Sequence, residues 1–502
     1  MDTLIALQNG FATSLSLGNL SAALIGAALG IIVGAIPGLG SVTGIALLLP
    51  LTFGMDPTTA VILLAALYYG CMFGGAYSAI LLNIPGDAPA VMTALDGYPM
   101  AKRGEGGQAL FAANLASFIG GTVGIIALSF MGPLLAEIGL MFGPPETAAL
   151  ILLALCSIGW MLGDNVAKGL IATMLGILLA VVGIGSTFGH ARFTGGSMHL
   201  LNGVSFIPLV IGMFGFSQLL EMMTDRPKQG EGPKQIPLRE SIPGRKQVAR
   251  LVPLSLRSGL IGTFVGILPG AGATTGAFLS YVFQRKIGRN GDQMGTGVVE
   301  GVAASEAGNN GAAAGSFAPL LSLGIPGSGT SAVLLGGLMM WGLQPGPLLF
   351  TTRPDFVWGL ISSMYIGTVM AVIAAMLIIP FLMQILRIPI SVLIPVIATV
   401  CVFGAYSVNG SMFDVWLMLT VGIAAYYLKV AEYPIAPLVL AFVLTPRLES
   451  SIRRSFDISN GDPWIFLSSP ISVTLISVIC ALVVMGVAGA VASRVRVRTA
   501  RT

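Results

Sequence analysis

Apolar runs of about one membrane span recur along the chain, separated by short polar breaks. A helix needs about 20 apolar residues to cross a hydrocarbon core about 30 Å thick. Runs near that length predict full spans around residues 58–82, 109–130, 146–163, 166–187, 203–222, 298–322, 355–380, 389–405, 413–428, 432–446 and 470–492. The pattern therefore predicts an all-α polytopic membrane protein with about 11–12 transmembrane helices.

Two further apolar runs, 19–54 and 258–283, are each broken by a Pro-Gly unit. The first run is too long for one span and too short for two, and the second is one span long. The breaks read GAIPGLGS at 34–41 and GILPGAGA at 266–273. Because proline removes a helix N–H and glycine permits positive φ, each run predicts two half-helices meeting at a tip, a re-entrant hairpin. Such backbone survives at membrane depth only inside protein or beside a water-filled cavity.

The broken runs belong to a longer pattern that occurs twice. An Ile-Pro-Gly unit follows the first break at 84–86 and the second break at 325–327. This order of landmarks predicts an internal duplication, with one membrane repeat over 1–222 and a second over 258–446. A basic linker at 223–257 separates the repeats, and a terminal helix with a basic tail follows at 447–502.

The positions of Lys and Arg predict that the two repeats are inverted. Loops rich in these residues face the cytoplasm. Arg257 precedes the second hairpin, and Arg285, Lys286 and Arg289 follow it, so that hairpin opens to the cytoplasm. Lys102 and Arg103 follow the span at 58–82, which places its end inside and makes the first hairpin open outward. Inverted repeats with discontinuous helices are typical of secondary transporters.

The composition and the absence of certain motifs mainly exclude other classes of protein. Of the 502 residues, 55% are hydrophobic and 9% are charged, whereas soluble domains carry about 25% charged residues. No Gly-Lys pair occurs, so a Walker A loop is absent, and so are HExxH and Gly-x-Gly-Asp sequences. His190 and His199 share one polar loop without a nearby acidic residue, and we expect no resident metal and no cofactor. An intramembrane enzyme remains the alternative from another class.

Both Pro-Gly tips predict a binding site. A broken helix exposes free N–H groups that attract anions and free C=O groups that can coordinate a cation. Small hydroxyl residues next to the tips could donate hydrogen bonds to a carboxylate. The predicted substrate-binding residues are Pro37, Gly38, Gly40, Ser41, Thr43, Asn83, Pro269, Gly270, Gly272, Thr274, Thr275, Pro326, Gly327 and Ser328. The alternative is that these glycines only allow helices to pack closely.

Four polar residues are candidates for binding a coupling cation. Asp87 follows the first Ile-Pro-Gly unit, where it could also serve as a helix N-cap. Glu306, Asn309 and Asn310 are three or four positions apart inside a predicted span, so they share a helix face. Carboxylate and amide oxygens suit a hard cation, and Glu306 could equally carry a proton. Solvation at the membrane interface is the other interpretation of this stretch.

The stretch Asp96-Gly97-Tyr98-Pro99, just before Lys102, is predicted to be a turn, because Gly and Pro punctuate helices.

These motifs together resemble the TctA family. The resemblance rests on AIPGLG at 35–40, IPG at 84–86, ALDGYPMAK at 94–102, GILPGAG at 266–272 and GIPG at 324–327. Each motif alone is weak, but the ordered set is specific, and it extends over nearly the whole chain, including its length and its central basic linker.

The resemblance implies a large membrane subunit of a tripartite tricarboxylate transporter in the bacterial inner membrane. Its partners would be a small membrane subunit of about four spans, a periplasmic substrate-binding protein and the lipid bilayer. It would import citrate or another carboxylate, driven by a Na⁺ or H⁺ gradient. No nucleic-acid partner is expected. A homodimer is compatible with the resemblance. A stand-alone ion-coupled organic-anion carrier is the alternative within the same class.

Overall fold

A computed structural model describes residues 3–161, 166–185, 189–224, 244–385, 389–481 and 484. Within these ranges the chain is almost entirely helical, which confirms the all-α class. The predicted linker lies outside the described residues between 225 and 243, and so does the basic tail from 485 onward.

The helices follow one another with short connections. In chain order they are α1 (Thr3–Ser14), α2 (Leu17–Ala35), α3 (Gly40–Leu48), α4 (Pro57–Leu82), α5 (Val91–Lys102), α6 (Gly106–Leu140), α7 (Pro144–Met161), α8 (Val166–Ala180), α9 (Phe206–Val210), α10 (Ser217–Thr224), α11 (Arg245–Ile267), α12 (Gly272–Ile287), α13 (Val299–Gly315), α14 (Phe317–Leu323), α15 (Gly329–Met340), α16 (Leu349–Thr352), α17 (Pro354–Ile385), α18 (Ile390–Asn409), α19 (Met412–Val430) and α20 (Ile435–Ile458).

The helix Pro470–Ala481 follows α20, and shorter elements connect the helices. A π-helical segment, Ile211–Phe216, joins α9 to α10. Single 3₁₀ turns occur at Leu49–Thr52, Ala88–Ala90, Met198–Leu200, Gly291–Gln293 and Pro463–Leu467. The strands β1 (Gly183–Ile184) and β2 (Ala191–Arg192) pair antiparallel, with Gly183 opposite Arg192.

Nine helices in the described part of the chain are long and apolar enough to cross a membrane. They are Leu17–Ala35, Pro57–Leu82, Gly106–Leu140, Phe206–Thr224, Arg245–Ile267, Pro354–Ile379, Ser391–Asn409, Met412–Val430 and Ile435–Ile458. The spans predicted at 146–163, 166–187 and 470–492 appear as the shorter apolar helices Pro144–Ser157, Val166–Ala180 and Pro470–Ala481.

The first arm of each Pro-Gly break is a full-length helix rather than a half-helix. α2 has 19 residues and α11 has 23, whereas α3 has 9 and α12 has 16. α11 starts at Arg245, inside the stretch predicted as linker, because 245–257 places Leu251, Leu254 and Ser255 on one buried face. The re-entrant insertion of the arms stays a prediction.

Two nearly fully buried helices, α4 and α13, hold the broken helices together. α2 and α3 both contact α4, and α11 and α12 both contact α13. α13 covers most of the span predicted at 298–322, is buried from Gly301 to its end, and is followed by α14 after a break at Ser316. A polar helix such as α13 is tolerated because protein, and not lipid, surrounds it.

The chain divides into two compact units. The first unit consists of residues 1–136 and 206–426 and contains both Pro-Gly breaks. The second consists of residues 137–205 and 427–502, where α7, α8 and α20 pack on one another. These units are defined by contacts between residues and differ in their bounds from the predicted repeats, which are defined by sequence pattern.

Candidate functional site

The two Pro-Gly breaks adopt the same backbone conformation. In the first, Leu39 N donates to Ile36 O at 3.2 Å, and in the second, Ala271 N donates to Leu268 O at 3.3 Å. Proline occupies the second turn position and a glycine of positive φ the third: Gly38 at 87° and Gly270 at 81°. This is the arrangement of a type II β-turn, which requires a positive φ at its third residue. Local sequence chemistry therefore builds the same tip twice.

A close backbone approach fixes each tip against its neighbours. A Cβ on Gly34 would overlap the backbone of Cys71, and one on Gly266 would overlap the backbone of Ala312. The Ile-Pro-Gly units pack onto the same two glycines, because a Cβ on Gly86 would overlap Gly34 O and one on Gly327 would approach Gly266 O. The glycines thus allow close packing, as the alternative interpretation held, and in doing so they bring the predicted site residues together.

A chain of hydroxyl groups connects the two halves of the sequence at the first tip. Asp87 Oδ2 accepts hydrogen bonds from Ser41 N at 2.9 Å and Ser41 Oγ at 2.7 Å. Thr330 Oγ1 lies 2.9 Å from Ser41 Oγ. Because Ser41 gives its hydroxyl proton to the carboxylate, Thr330 must be the donor to Ser41. The order of donation therefore runs from Thr330 through Ser41 to Asp87.

Several helix N-termini meet around this chain. Ser41 and Thr330 are the second residues of α3 and α15, and Asp87 caps the 88–90 turn that leads into α5. α12 contacts that turn, and Gly272 N donates to Gly327 O at 3.1 Å. Helix N-termini carry partial positive charge, and Asp87 is a carboxylate bound at their meeting point. The arrangement stabilises the carboxylate of Asp87, which occupies these donors.

The remaining predicted substrate residues differ in burial. Ser328 is buried, and its Oγ lies 3.4 Å from the Oη of Tyr68. Gly38, Asn83 and Thr274 are exposed, and Thr43 is buried with its hydroxyl donating to Phe214 O at 3.4 Å. The half-buried residues are Pro37, Gly40, Asp87, Pro269 and Thr275, and the buried ones are Ser41, Gly270, Gly272, Pro326 and Gly327.

Glu306 belongs to a separate, fully buried cluster. Thr93 Oγ1 donates to Glu306 Oε1 at 2.5 Å, and Ser117 Oγ donates to Oε2 at 3.2 Å. Among the described residues, no Lys, Arg or His forms an ion pair with this carboxylate. A buried carboxylate without a cationic partner is costly unless a proton or a cation neutralises it.

Two amide oxygens next to Glu306 lack hydrogen-bond partners. Asn310 Nδ2 donates to Glu306 O at 3.0 Å, while Asn309 Oδ1 and Asn310 Oδ1 are buried and unpaired. Buried polar atoms are nearly always satisfied, so these oxygens need a donor or a cation. The carboxylate, two hydroxyls and two free amide oxygens form an oxygen-rich set of the kind that hard cations prefer.

The prediction of a turn at Asp96-Gly97-Tyr98-Pro99 is wrong. These residues lie inside α5, with Pro99 in the helix interior. Asp96 is fully buried, and its Oδ1 accepts hydrogen bonds from Gly295 N, Gly297 N and Val298 N, at 2.9, 2.8 and 2.8 Å. Tyr281 Oη donates to Oδ2 at 2.8 Å. The contacts of Asp96 tie α5 to α12 and to the loop before α13, and a local turn signal could not reveal them.

We expect Asp96→Asn to destabilise the protein by about 2–4 kcal/mol. The amide has one acceptor oxygen, so it cannot serve both the three N–H donors and the Tyr281 hydroxyl, and hydrogen bonds to charged groups contribute about 1.5–3 kcal/mol each. Thermal unfolding in detergent measures the effect. Asp292→Asn, at an exposed position of the same loop region, is the matched control and should leave the midpoint unchanged. Equal midpoints for the two variants would contradict the role assigned to Asp96.

Sequence reasoning did not assign a role to several residues that the structure places in these clusters. Tyr68, Thr93 and Ser117 lie in or next to apolar runs, where a hydroxyl has no distinguishing pattern. Gln218 is close to the first tip, since a Cβ on Gly38 would lie 2.9 Å from its Nε2. The π-helical segment before it is the one local signal, because such segments are frequent at functional sites.

The fold and the two polar clusters define a polytopic membrane protein with discontinuous helices, the class to which many secondary transporters belong. The chain matches the tripartite tricarboxylate transporter TctA family over residues 20–440, and it belongs to that family. It is therefore a component of a transporter that works with partner subunits. The family points away from enzymatic catalysis.

Two uncharacterized proteins of Agrobacterium vitis are similar to this chain, one over nearly its full length and one over about half of it. The chain is 37% identical over 494 residues to an uncharacterized 52.8 kDa protein in the TAR-I ttuC' 3' region, covering 98% of both chains. It is also 37% identical over 233 residues to an uncharacterized protein in the TAR-II ttuC' 3' region, covering 46% of this chain and 96% of that relative. No solved structure matches the chain.

Proposed function

We propose that this chain is the permease of a binding-protein-dependent secondary transporter that imports a tricarboxylate or related carboxylate. The observation that carries the proposal is the meeting of helix N-termini around Ser41, Asp87 and Thr330. A carboxylate of the substrate would bind there by taking over the backbone N–H and hydroxyl donors of Ser41 that Asp87 now occupies. Neutral donors of this kind hold an anion without a buried counter-charge.

The second part of the proposal is cation coupling at Glu306, Asn309 and Asn310. Na⁺ or H⁺ would neutralise the Glu306 carboxylate, and Na⁺ would also satisfy the free oxygens of Asn309 and Asn310. α5 connects the two clusters, because the 88–90 turn joins it to Asp87 and it carries Thr93, which contacts Glu306. Occupancy of one cluster can therefore bias the arrangement of the other, which is the condition for coupled transport.

The decisive experiment is uptake of a radiolabelled carboxylate panel into proteoliposomes. The chain would be reconstituted alone and with its small membrane subunit and periplasmic binding protein, with and without a Na⁺ or H⁺ gradient. Uptake that needs both partners and a gradient supports the proposal. Uptake by the chain alone would favour the stand-alone carrier, and no uptake of any carboxylate by folded protein would contradict the substrate class.

We expect Ser41→Ala to weaken carboxylate binding about tenfold, because a hydrogen bond to a charged group contributes about 1.5–3 kcal/mol. The removed hydroxyl is also the one that connects Thr330 to Asp87. The transport KM, measured in the same proteoliposomes, reports the change. Ser21→Ala, an exposed serine in α2, is the control. An unchanged KM in the Ser41 variant would place the substrate elsewhere.

A further inference from the structure

A cavity of about 460 Å³ lies apart from both polar clusters, where three segments of the first unit meet. These segments are the turn between α5 and α6, the loop that leads into α13, and the first turns of α11. The cavity is within the size range of small-molecule sites, about 300–1,000 Å³. Its lining includes the charged and amide side chains of Arg103, Glu105, Gln108, Lys246, Gln247, Arg250, Asn290 and Glu300.

Both acids that line the cavity already have partners. Glu105 Oε2 accepts from Arg103 at 3.0 Å, and Arg103 also donates to Thr296 O and Gly297 O. Glu300 Oε1 accepts from Asn290 Nδ2 at 2.9 Å. Arg103 thus binds Glu105 and two backbone carbonyls, and the Asn290 amide binds Glu300. Glu105 is therefore a poor competitor for other cations in the cavity, whereas Glu300 is hydrogen-bonded by a neutral amide and keeps its negative charge.

Lys246 and Arg250, together with Arg103, outnumber the acids Glu105 and Glu300 in the lining, which leaves one positive charge in excess. Lys246 and Arg250 are four positions apart on α11, so their side chains lie on the same face of the helix. Both are exposed, and neither forms an ion pair with another residue in the described ranges. Two adjacent cations with amide donors nearby, such as Gln247, form the donor set that recognises a phosphate group.

The surface of α11 beyond the cavity indicates that the phosphate belongs to a lipid. α11 is one of the helices able to cross a membrane, and its basic first turns mark the cytoplasmic end by the positive-inside rule. Farther along α11, Leu256, Leu260 and Phe264 follow one another at intervals of four, are 45%, 50% and 65% exposed, and form an apolar stripe on the helix. A phosphate held by Lys246 and Arg250 would leave acyl chains to lie along this apolar stripe.

We propose that this cavity binds the phosphodiester headgroup of an anionic phospholipid. Basic pockets at the cytoplasmic ends of transmembrane helices suit such headgroups. The bound lipid would bridge α11, in the second half of the sequence, to the α5–α6 turn in the first half. It would therefore stabilise the present arrangement of these segments, and it would do so independently of the carboxylate and cation clusters.

The test is thermal unfolding of the full chain in a neutral detergent, titrated with dioctanoyl phosphatidylglycerol. The anionic lipid should raise the midpoint, whereas dioctanoyl phosphatidylcholine should not. The double variant Lys246→Ala, Arg250→Ala should weaken the apparent Kd for the anionic lipid about thirtyfold, since each basic residue near an anionic lipid surface contributes about 1 kcal/mol. Lys246→Gln with Arg250→Gln provides a second variant of closer size and should show the same loss.

The matched control is Arg285→Ala with Lys286→Ala, which removes the same charge from the exposed end of α12, outside the cavity. Its Kd should stay within about twofold of the parent value, the spread expected for surface charges. A similar loss in this control would show that only net charge matters and would overturn the site. Inorganic phosphate acting as strongly as the lipid would overturn the lipid assignment. Citrate binding that depends on Lys246 and Arg250 would assign the cavity to the substrate path instead.

Discussion

Glu306→Gln is expected to abolish accumulation of the substrate against its gradient. Glutamine keeps the size of the side chain and can still bond Thr93 and Ser117, but it neither binds a proton nor carries the charge that attracts Na⁺. Losing a buried, charge-dependent interaction costs about 3–5 kcal/mol, so gradient-driven uptake should fall roughly a hundredfold or more. Carboxylate binding at Ser41 should persist but lose its dependence on the cation, because the two clusters share no side chain and are connected through α5.

The measurement is the ratio of internal to external labelled substrate under an imposed Na⁺ or H⁺ gradient. Glu146→Gln is the matched control, because Glu146 is also a buried glutamate that accepts from a serine hydroxyl, at 2.5 Å from Ser469, and it lies in the second unit. It should accumulate substrate as the parent does. Normal accumulation by the Glu306 variant would remove Glu306 from the coupling mechanism, whatever the substrate proves to be.

Gly34→Ala should destabilise the fold by about 3 kcal/mol or more. The new methyl group would lie 2.6 Å from Cys71 Cα and closer still to Cys71 O, so α2 and α4 would have to separate. Overpacking against rigid backbone is costly because no flexible side chain can move aside. Gly34 O is also the atom against which Gly86 packs, so the displacement would reach the Ile-Pro-Gly unit and Asp87.

Thermal unfolding measures the loss, and the same helix offers the control. Gly18 lies in the first turn of α2 with nothing within 4 Å of the position of a Cβ. Gly18→Ala should be neutral or stabilise by up to about 1 kcal/mol, as expected for replacing glycine in a helix. If Gly34→Ala unfolded at the same temperature as Gly18→Ala, the close packing of α2 on α4 would be incorrect.

Local sequence chemistry made the two tips predictable. A Pro-Gly pair inside an apolar run has few backbone solutions, and the type II turn with its positive φ at Gly38 and Gly270 is one of them. The presence of the helices was predictable for a related reason, because an apolar run of span length has no stable alternative to a helix in lipid. The start of α11 was not predicted, because Lys, Arg and Pro between 245 and 257 suggest a linker when burial is unknown.

Residues that act through distant partners were the least predictable. The sequence named Ser41, Asp87, Glu306, Asn309 and Asn310 as candidates, but it placed Asp87 with the cation residues. The structure joins Asp87 to Ser41, 46 positions away, and Thr330 to Ser41, 289 positions away, and the cation role of Asp87 stays a prediction. Asp96 was taken for part of a turn because its donors, Gly295 to Val298, lie about 200 positions along the chain.

By itself, the sequence determined the membrane class, the family, the doubled Pro-Gly pattern and the short set of polar residues in apolar surroundings. These follow from hydropathy, span length and backbone restrictions, each of which acts within a few residues. The tertiary structure alone decided which polar groups share a cluster: Ser41 with Asp87 and Thr330, and Glu306 with Thr93 and Ser117. The physical reason is that a buried hydrogen bond depends on packing between helices, which glycine contacts such as Gly34 on Cys71 set to within an ångström.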